Sequence, residues 1–575
     1  MATSTEIRAQ LTGPGGAFEV TTEVVGGVEM KVYAQRLGSL REVALLAAGH
    51  GEKQFIVYGD LRITFGDFLR SAHAASAALV ERFGVAPGDR VAVLSANNPE
   101  WCVTFWGTVD IGAVLVGLNG WWKNDEVLYG LRDSGAKVLV ADRRRYQRIA
   151  AAVAAGEVPD LETVFLVDAD PAEFGDGPPA LHRFDELTAS PVDQAPTNPI
   201  SEHDPAVIFY TSGTTGRPKG AVSTHANMVA NLQNTLFNTV LGAMGGSGGA
   251  IPSRGDQGQP AALFTSPLFH VSGCHSTLVV GLMAGLKLVM PEGRFDPDTA
   301  LALIEREQVS VWATVPTMVW RVCEHPARHD YDTSSVRSVA FGGSPSADEL
   351  QRKVHETFPD VNTTSNAYGL TETSSVATVI SGQDALDKPT SVGQPMPVVE
   401  VKIVDAAGEP VPTGGTGEVC IKGPVVMPGY WGKPEATAEI LHDGWLSTGD
   451  LGHVDDDGYL YITDRAKDMI IRGGENVYCV EIENRLVEHP AIADAAVFGV
   501  PHPSLGEEVE AVVQMEPGRS IDEIEVKAWV AESLADFKVP AHVTVTGERL
   551  PRNASGKLLK NVLRGTGVVS LDETM

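Results

Sequence analysis

Residues 210–220 read YTSGTTGRPKG, a run of hydroxyl and glycine residues that contains one lysine. The run continues an apolar stretch, AVIFY (206–210), which is typical of a buried strand. Backbone N–H groups and hydroxyls of such a loop, with one nearby cation, can hold a phosphate. A polar turn and a phosphate site therefore both fit this stretch, and its composition does not decide between them.

The P-loop motif, G-x-x-x-x-G-K-[ST], does not fit these residues. When Gly213 is aligned with the first glycine, Lys219 takes the lysine position. Pro218 then stands where a glycine must offer its N–H, and Gly220 stands where a hydroxyl must reach magnesium. The chain is therefore not a P-loop NTPase.

The composition indicates a folded protein of several units. The chain has 575 residues, of which 43% are hydrophobic, and this length predicts at least two cores. The formal charge of -30 argues against nucleic acid as a partner. The five cysteines show no metal-ligand or paired spacing. Because we find no leader pattern and no apolar stretch long enough to span a bilayer, we expect a cytoplasmic protein without a transmembrane segment.

The first half of the chain alternates between strand and helix patterns. A helical pattern begins at Thr64, and the strands RVAVLS (90–95), VLVGL (114–118) and KVLVAD (137–142) are almost wholly apolar. Such strands predict a buried parallel sheet within an α/β fold, and ligands of these sheets bind at strand ends.

The pattern changes after about residue 390, where alternating apolar and polar residues between turns predict an antiparallel β subdomain. A smaller α+β unit follows. We predict a large domain over residues 1–466 and a small C-terminal domain over 467–575. The Gly-rich segment 241–260 is predicted to be a surface loop.

The loop is one of seven motifs that occur in a fixed order. The others are PLFHVSG (267–273), FGGSPS (341–346), NAYGLTET (366–373), GWLSTGDLG (444–452), TDRAKDMIIRGGENVY (463–478) and LPRNASGKLLK (550–560). Together they resemble the adenylate-forming superfamily, which includes acyl-CoA synthetases, firefly luciferase and the adenylation domains of peptide synthetases. The resemblance covers almost the whole chain.

The resemblance implies a two-step ligase reaction that uses ATP, Mg²⁺ and coenzyme A. In that family a carboxylate attacks the α-phosphate of ATP to give an acyl-adenylate and pyrophosphate. The thiol of coenzyme A then displaces AMP. Such chemistry depends mainly on positioning and charge neutralisation.

The resemblance also assigns residues to ATP and AMP. Thr371 is assigned to the α-phosphate and Glu372 to Mg²⁺. The other assigned residues are Thr211, Ser212, Gly213, Thr214, Thr215 and Lys219 for the phosphates, Gly342, Gly343, Ser344, Asn366, Ala367, Tyr368 and Gly369 for adenine and its surroundings, and Asp450 and Arg465 for the ribose.

Two assignments imply that the small domain moves. Lys557 is assigned to the attacking carboxylate and the α-phosphate in the first step. Lys467 is assigned as the pivot of a rotation that brings Arg472, Gly473 and Gly474 to the site and to the coenzyme A tunnel.

The acid is predicted to be a hydrophobic monocarboxylic acid, whether fatty, aryl or polycyclic. His270 stands where amino-acid-activating relatives have Asp, so a substrate ammonium would lack a partner. The predicted pocket walls are mostly apolar and contain no arginine for a second carboxylate. They are His270, Val271, Thr314, Val315, Pro316, Met318, Ala367 and Val376.

Several alternatives stay open at this point. The acyl-adenylate can be passed to a carrier-protein pantetheine, or be oxidised as in luciferase, or the chain can bind nucleotide without catalysis. The last is disfavoured because Lys219, Glu372, Asp450, Arg465 and Lys557 are all present. The oligomeric state is open, with a homodimer as one possibility, and Trp121 and Trp122 have no assigned role.

Overall fold

The computed structural model describes residues 3–175, 177–190, 192, 194–211, 217–245, 258–342, 348–465, 468–472, 475–502, 504–553 and 557–565. Within these residues it contains two large sheets, an antiparallel β unit and a small C-terminal unit, besides an N-terminal hairpin of Val20–Val25 with Val28–Tyr33.

The first large sheet has seven strands and carries the beginning of the YTSGTTGRPKG loop. Its outermost pair is antiparallel and its other pairs are parallel. In spatial order the strands are Lys219–Thr224, Pro205–Thr211, Val114–Gly117, Arg90–Leu94, Val138–Asp142, Thr163–Val167 and Ala180–Arg183. The predicted apolar strands are confirmed as interior strands of this sheet.

The second large sheet has nine strands, with a parallel centre and antiparallel edges. In spatial order they are Gln394–Pro395, Thr378–Ser381, Thr363–Tyr368, Ser338–Gly342, Val311–Thr314, Ala261–Leu263, Lys287–Met290, Gln54–Tyr58 and Leu61–Thr64. The NAYGLTET motif begins on one of these strands, and the first two residues of the FGGSPS motif, Phe341 and Gly342, end its parallel neighbour.

Two smaller sheets follow in the sequence. The antiparallel β unit contains Glu400–Val404, Gly417–Lys422, Trp445–Val454, Leu441–His442 and Leu460–Arg465. The C-terminal sheet contains Glu475–Val477, Ile470–Arg472, Gly506–Met515, Ile492–His502 and His542–Thr546. The predicted fold class, layered α/β sheets with a β subdomain and a small C-terminal α+β domain, is confirmed.

Helices cover the faces of the sheets and connect their parallel strands. The α-helices are Ser4–Thr12, Leu40–Ala47, Phe65–Glu81, Pro99–Val109, Asn124–Ser134, Arg143–Ala154, Asp185–Thr188, His225–Gly245, Val271–Gly273, Val280–Ala284, Pro297–Glu307, Pro316–Cys323, Asp348–Thr357, Gln383–Asp387, Pro434–Ala438, Cys479–Val487, Glu523–Ala531 and Lys560–Leu563, and Cys274–Val279 is a π-helix. Short 3₁₀ turns are Ala48–His50, Pro171–Phe174, Pro326–Asp330, Thr371–Thr373 and Asp536–Lys538.

Local sequence explains where the helix Phe65–Glu81 begins. The hydroxyl of Thr64 accepts a hydrogen bond from the N–H of Asp67 at 3.0 Å, which satisfies one of the free N–H groups of the first turn. The apolar face of the helix then packs into the largest core, against Trp106 and Phe105 of the next helix.

Within the described residues, no helix is both long and apolar enough to cross a bilayer.

One predicted loop is partly wrong. Residues 241–245 of the Gly-rich segment belong to the helix His225–Gly245, since the hydrophobic pattern of that helix continues through Leu241. Residues 246–257 of the segment lie outside the described part of the chain.

Two histidines of the large domain, His225 and His275, are fully buried. Burial lowers the pKa of His225 to about 4 and that of His275 to about 3, because the charged imidazolium is poorly solvated there. Both side chains are therefore neutral at pH 7.

We predict that His275 makes the protein sensitive to acid. Its pKa in the folded protein lies below the unfolded value, so its stabilising effect is present above about pH 6.5 and is lost as the pH falls toward 3. One such histidine corresponds to about 2 kcal/mol between pH 7 and pH 5. Urea unfolding at both pH values should show that His275→Asn loses less stability on acidification than the parent. Equal losses in the two proteins would contradict the prediction.

Candidate active site

Residues predicted to contact adenine lie where two parallel strands end. Gly342 ends one strand and pairs in register with Ala367 on the next. Tyr368 ends the second strand, and its ring is partly buried. Carboxyl ends of parallel strands are the usual place for ligands in open α/β sheets, so the position fits the predicted nucleotide site.

Asp450 connects this sheet edge to the β unit. Its Oδ2 accepts a hydrogen bond from the hydroxyl of Tyr368 at 2.7 Å, and its Oδ1 lies 3.0 Å from Nε of Arg465. The Asp450 side chain is almost fully buried, whereas that of Arg465 is about one third exposed. Burial and the charge of Asp450 raise the pKa of Tyr368 well above its ordinary value, so the phenol stays protonated and remains a donor.

A large cleft opens beside these residues, with a volume of about 2720 Å³. Its walls include predicted site residues from both the large and the small domain. They are Pro316, Met318, Asn366, Ala367, Tyr368, Gly369, Asp450, Arg465 and Lys557. The structure therefore brings the predicted ribose residues, most of the described adenine residues and the predicted catalytic lysine to one cavity. The other described residues predicted for ATP, Mg²⁺ and the acid lie outside its lining, and they are Thr211, Lys219, His270, Val271, Thr314, Val315, Gly342, Thr371, Glu372 and Val376.

Lys557 reaches this cleft from a turn of the small domain. Its N–H donates to Oδ1 of Asn553 at 2.9 Å, and its carbonyl accepts from the N–H of Asn553 at 2.8 Å. These two bonds fix the backbone on both sides of the lysine. Residues 554–556 of the same motif lie outside the described part of the chain.

Glu372 and Lys219 meet around one tyrosine. The hydroxyl of Tyr430 donates to Oε1 of Glu372 at 2.7 Å, and Nζ of Lys219 lies 5.1 Å from the centre of the Tyr430 ring. Burial and the charge of Glu372 raise the pKa of Tyr430, which keeps its hydroxyl a donor. The N–H of Met427 also donates to the Glu372 carbonyl at 2.9 Å. Backbone and carboxylate of Glu372 are thus both held by the segment 427–430.

Three of the predicted acyl-wall residues, Pro316, Met318 and Ala367, line the cleft. Thr314 is buried, its hydroxyl accepts from that of Thr265 at 3.0 Å, and it lies 3.2 Å from the sulfur of Met318. His270 caps the short helix Val271–Gly273, and burial lowers its pKa to about 4. A neutral histidine offers no positive charge to a second carboxylate.

Known protein families match this chain over both the large and the small domain. The model of the AMP-binding enzyme family matches residues 43–431, and that of the AMP-binding enzyme C-terminal domain matches residues 481–557. The chain belongs to this family, among the AMP-forming acyl-CoA synthetases of the adenylate-forming superfamily. The predicted family and enzyme class are confirmed.

Three similar proteins illustrate the range of the family. A feruloyl-CoA synthase from Amycolatopsis sp is 37% identical, with 88% of this chain and 94% of that protein covered. A Mycobacterium tuberculosis ligase, 3-[(3aS,4S,7aS)-7a-methyl-1,5-dioxo-octahydro-1H-inden-4-yl]propanoyl:CoA ligase, is 36% identical, with 89% and 95% covered. The structure of the anthranilate CoA ligase AuaEII with anthranoyl-AMP superimposes with a TM-score of 0.81 at 25% identity, covering 92% of this chain and 96% of that one.

Some predicted residues of this acyl-CoA synthetase are not brought to the cleft or cannot be placed. Arg472 is held on the small domain by Glu508, whose Oε2 lies 3.0 Å from Nη2 of the arginine. It lies outside the described lining of the cleft, which includes Lys557. The following predicted residues lie outside the described part of the chain: Ser212, Gly213, Thr214, Thr215, Gly343, Ser344, Lys467, Gly473 and Gly474.

Tyr430 contacts two predicted site residues, Glu372 and Lys219, but its place there is not predicted from the sequence. It belongs to the stretch PGYWGKPEAT (428–437), where Gly and Pro around two aromatic residues indicate an ordered turn. No charge or metal-ligand pattern marks this turn. Its proximity to Glu372 depends on the pairing of Tyr430 with Ala221, which only the tertiary structure shows.

Trp121 also lies at the cleft, and 41% of its surface is exposed. Its ring meets that of Phe269 edge-on, with centroids 6.4 Å apart. Trp122 packs edge-on against Tyr210 at 5.5 Å. Arg148 donates to the carbonyl of Trp122, which fixes the turn that carries both indoles. Both indoles line the cleft, but Trp121 contacts Phe269, which precedes the predicted acyl-pocket residue His270, whereas Trp122 contacts Tyr210.

Magnesium is expected at Glu372. Among the described residues, no three His, Cys, Asp or Glu side chains are grouped to hold a metal ion. Magnesium bound with nucleotide phosphates needs only one or two protein carboxylates, because phosphate oxygens and waters fill the other positions. A single Glu372 carboxylate, oriented by Tyr430, fits that kind of site.

We predict that Tyr430→Phe impairs adenylation without unfolding the protein. The ring over Lys219 is kept, but Glu372 loses a hydrogen bond that orients its carboxylate. Loss of a hydrogen bond to a charged group should lower kcat/KM for ATP about tenfold, measured as pyrophosphate release. Tyr461→Phe is the matched control, since Tyr461 donates to Asp455 at 3.2 Å away from the cleft. Equal rates in both variants would remove Tyr430 from the site.

Proposed function

We propose that this enzyme activates a hydrophobic monocarboxylic acid, whether fatty, aryl or polycyclic, with ATP and Mg²⁺ and transfers the acyl group to coenzyme A. The observation that carries the proposal is the group formed by Asp450, Tyr368 and Arg465 beside Lys557 in one cleft. This group offers contacts for a ribose, an aromatic base and a reacting phosphate together.

The nucleotide is held by groups that are already oriented. A carboxylate has about four acceptor positions, and Asp450 uses two of them for Tyr368 and Arg465. The remaining positions can accept both ribose hydroxyls. Tyr368 offers a ring face to adenine, and its hydroxyl keeps that ring in place. Thr211, Lys219 and the loop between them are proposed to contact the phosphates.

Glu372 is proposed to contact Mg²⁺ on the phosphate side. When bound, the ion would neutralise phosphate charge, which lowers the cost of bringing an anionic acid to ATP. The protein contributes a fixed carboxylate, since Tyr430 holds one oxygen of Glu372 at 2.7 Å and leaves the other for the ion. Thr371 lies one residue earlier on the same 3₁₀ turn, where its hydroxyl is proposed to contact the α-phosphate.

Lys557 is proposed to act in the first step. An oxygen of the acid attacks the α-phosphorus, and the bond to the bridging oxygen of pyrophosphate breaks. Negative charge increases on the α-phosphate oxygens while this happens. The ammonium of Lys557 at the cleft can stabilise that charge and orient the acid.

The second step is proposed to use another orientation of the small domain, residues 467–575. The thiol sulfur of coenzyme A attacks the acyl carbon, its proton is lost, and AMP leaves with the pair of electrons of the acyl–oxygen bond. Arg472, Gly473 and Gly474 are proposed to replace Lys557 at the site after rotation about Lys467. In the described orientation Arg472 is paired with Glu508, and this ion pair fixes the arginine side chain on the small domain.

The nature of the acid follows from the pocket and the relatives. Neutral His270 with Val271, Val315, Met318 and partly buried Val376 suits an apolar acyl group. Relatives that cover most of this chain are named for ferulate, anthranilate, a bicyclic propanoate and a long-chain fatty acid. A hydrophobic monocarboxylic acid is therefore favoured over a dicarboxylate or an amino acid.

Coenzyme A is favoured over a carrier protein as acceptor, because the similar ligases are named for coenzyme A. Cytoplasmic location and a homodimeric state stay predictions. Fractionation of cells and sedimentation of the purified chain would test them.

We predict that the enzyme releases pyrophosphate and AMP with ferulate or a bicyclic propanoate, only when Mg²⁺ is present. Malonate and phenylalanine should give rates near background, because the pocket has no partner for a second charge. Mass detection of the thioester identifies the product. ADP as the nucleotide product, or preference for malonate, would overturn the proposal.

We also predict that the two steps depend on different residues of the small domain. Lys557→Ala should lose adenylation by orders of magnitude, yet convert a supplied acyl-adenylate and coenzyme A to thioester. Lys467→Pro should retain adenylation and lose thioester formation, since proline fixes φ at the pivot. Lys527→Ala and Lys467→Ala are the matched controls. Equal loss of both steps in Lys557→Ala and Lys467→Pro would contradict domain rotation.

A further inference from the structure

The turn after Glu372 contains two serines with unusual backbone angles. Ser374 has φ of 50° and Ser375 has φ of 105°, both in the left-handed region that side chains other than glycine rarely adopt. Both residues are buried, Ser374 completely. Such a conformation persists only when the surroundings hold it, so the contacts of these two serines need an explanation.

Each serine is held by another serine from a different element. The hydroxyls of Ser374 and Ser223 are 2.9 Å apart, and those of Ser375 and Ser276 are 2.6 Å apart. Nε2 of buried His275 lies 3.1 Å from the Ser223 hydroxyl. We name the two pairs, Ser223 with Ser374 and Ser276 with Ser375, the serine latch.

The latch joins the Glu372 turn to both substrate regions. Ser223 lies on the strand Lys219–Thr224, which begins with the predicted phosphate lysine. Ser276 lies in the π-helix Cys274–Val279, which continues the helix Val271–Gly273 of the predicted acyl wall. π-Helical turns occur frequently at functional sites. The start of this helix is closely packed, since a Cβ on Gly273 would lie 2.1 Å from the carbonyl oxygen of Pro267.

The turn also has hydrogen bonds of its own. The Thr373 hydroxyl donates to the Ser375 carbonyl at 3.0 Å and accepts from the N–H of Leu370 at 2.8 Å. The N–H of Ser375 also donates to the Leu370 carbonyl at 3.2 Å. The latch adds contacts that join this turn to the strand and to the π-helix.

We infer that the serine latch positions Glu372 and links its position to the helix of the acyl pocket. Ser223, Ser276, Ser374 and Ser375 are thus positioning residues for adenylation. A change in the acyl-pocket helix would be passed through Ser276 to the turn two to three residues from the carboxylate. The inference rests on the proposed role of Glu372 at magnesium.

The test uses the whole enzyme with ATP, Mg²⁺ and an accepted acid. Ser276→Ala and Ser375→Ala each remove the same hydrogen bond, so each should lower kcat/KM for ATP roughly 3- to 10-fold and raise the Mg²⁺ concentration that gives half the maximal rate. The double variant should be no slower than either single variant, because the bond can be lost only once. Effects that multiply in the double variant would overturn the inference.

Ser375→Gly separates positioning from stability. Glycine adopts φ of 105° without strain, so this variant should melt at or above the temperature of Ser375→Ala while adenylation stays as slow. Ser276→Thr keeps a hydroxyl and should recover most of the rate. If activity follows melting temperature across these variants, the latch has only a structural role and the inference is wrong.

Two controls keep this test distinct from that of the proposed function. Ser76→Ala removes another buried serine hydroxyl, which donates to the Gly107 carbonyl at 3.1 Å, and should leave the ATP and Mg²⁺ dependence unchanged. Glu372→Gln should raise the Mg²⁺ requirement more than any latch variant. An unchanged requirement in Glu372→Gln would overturn the proposed role of Glu372. A raised requirement in Glu372→Gln with normal latch variants would overturn the latch alone.

Discussion

The buried carboxylate of Asp450 is the constraint on which the rest of the site depends. Asp450 lies on the β unit and accepts a hydrogen bond from the hydroxyl of Tyr368, at the end of a strand of the nine-stranded sheet. It also forms an ion pair with Arg465, which ends the last strand before the small domain. A buried charge is costly unless it is paired, so these three elements are held together by that requirement. The β unit can therefore not shift without exposing or unpairing Asp450, and this fixes the proposed contact for the ribose.

A second group of contacts surrounds Glu372, whose carboxylate is also held by hydrogen bonding. Tyr430 holds its carboxylate, Met427 holds its carbonyl, and the hydroxyls of Ser374 and Ser375 hold the turn that follows. Hydrogen bonds in a buried site are stronger than in water and leave little freedom to the groups proposed to contact the phosphates. The proposed movement then belongs to the small domain, whose Lys557 lines the cleft.

Local patterns in the sequence were sufficient for much of the fold. Long apolar strands such as 138–142 can only be buried on both faces, which requires helices on each side. Hydroxyl capping at Thr64 marks where a helix begins. The Gly-rich segment after residue 240 shows the limit of such arguments, because glycines at 242 and 245 are helical where tertiary packing of residues such as Leu241 outweighs their low helix propensity.

The sequence by itself determined the α/β class, the order of the units, and the motif residues that meet at the cleft, including Tyr368, Asp450 and Lys557. A motif is a run of consecutive residues, so the residue types that its chemistry and its backbone geometry require can be identified directly in the sequence. Only the tertiary structure decided that Tyr430 holds Glu372, that Trp121 lies beside Phe269, and that Ser223 and Ser276 hold the turn after Glu372. Serine and tyrosine are common in ordinary turns and cores, so their type carries no signal. Their roles depend on contacts between residues about 60 to 150 positions apart, which arise when sheets and helices pack.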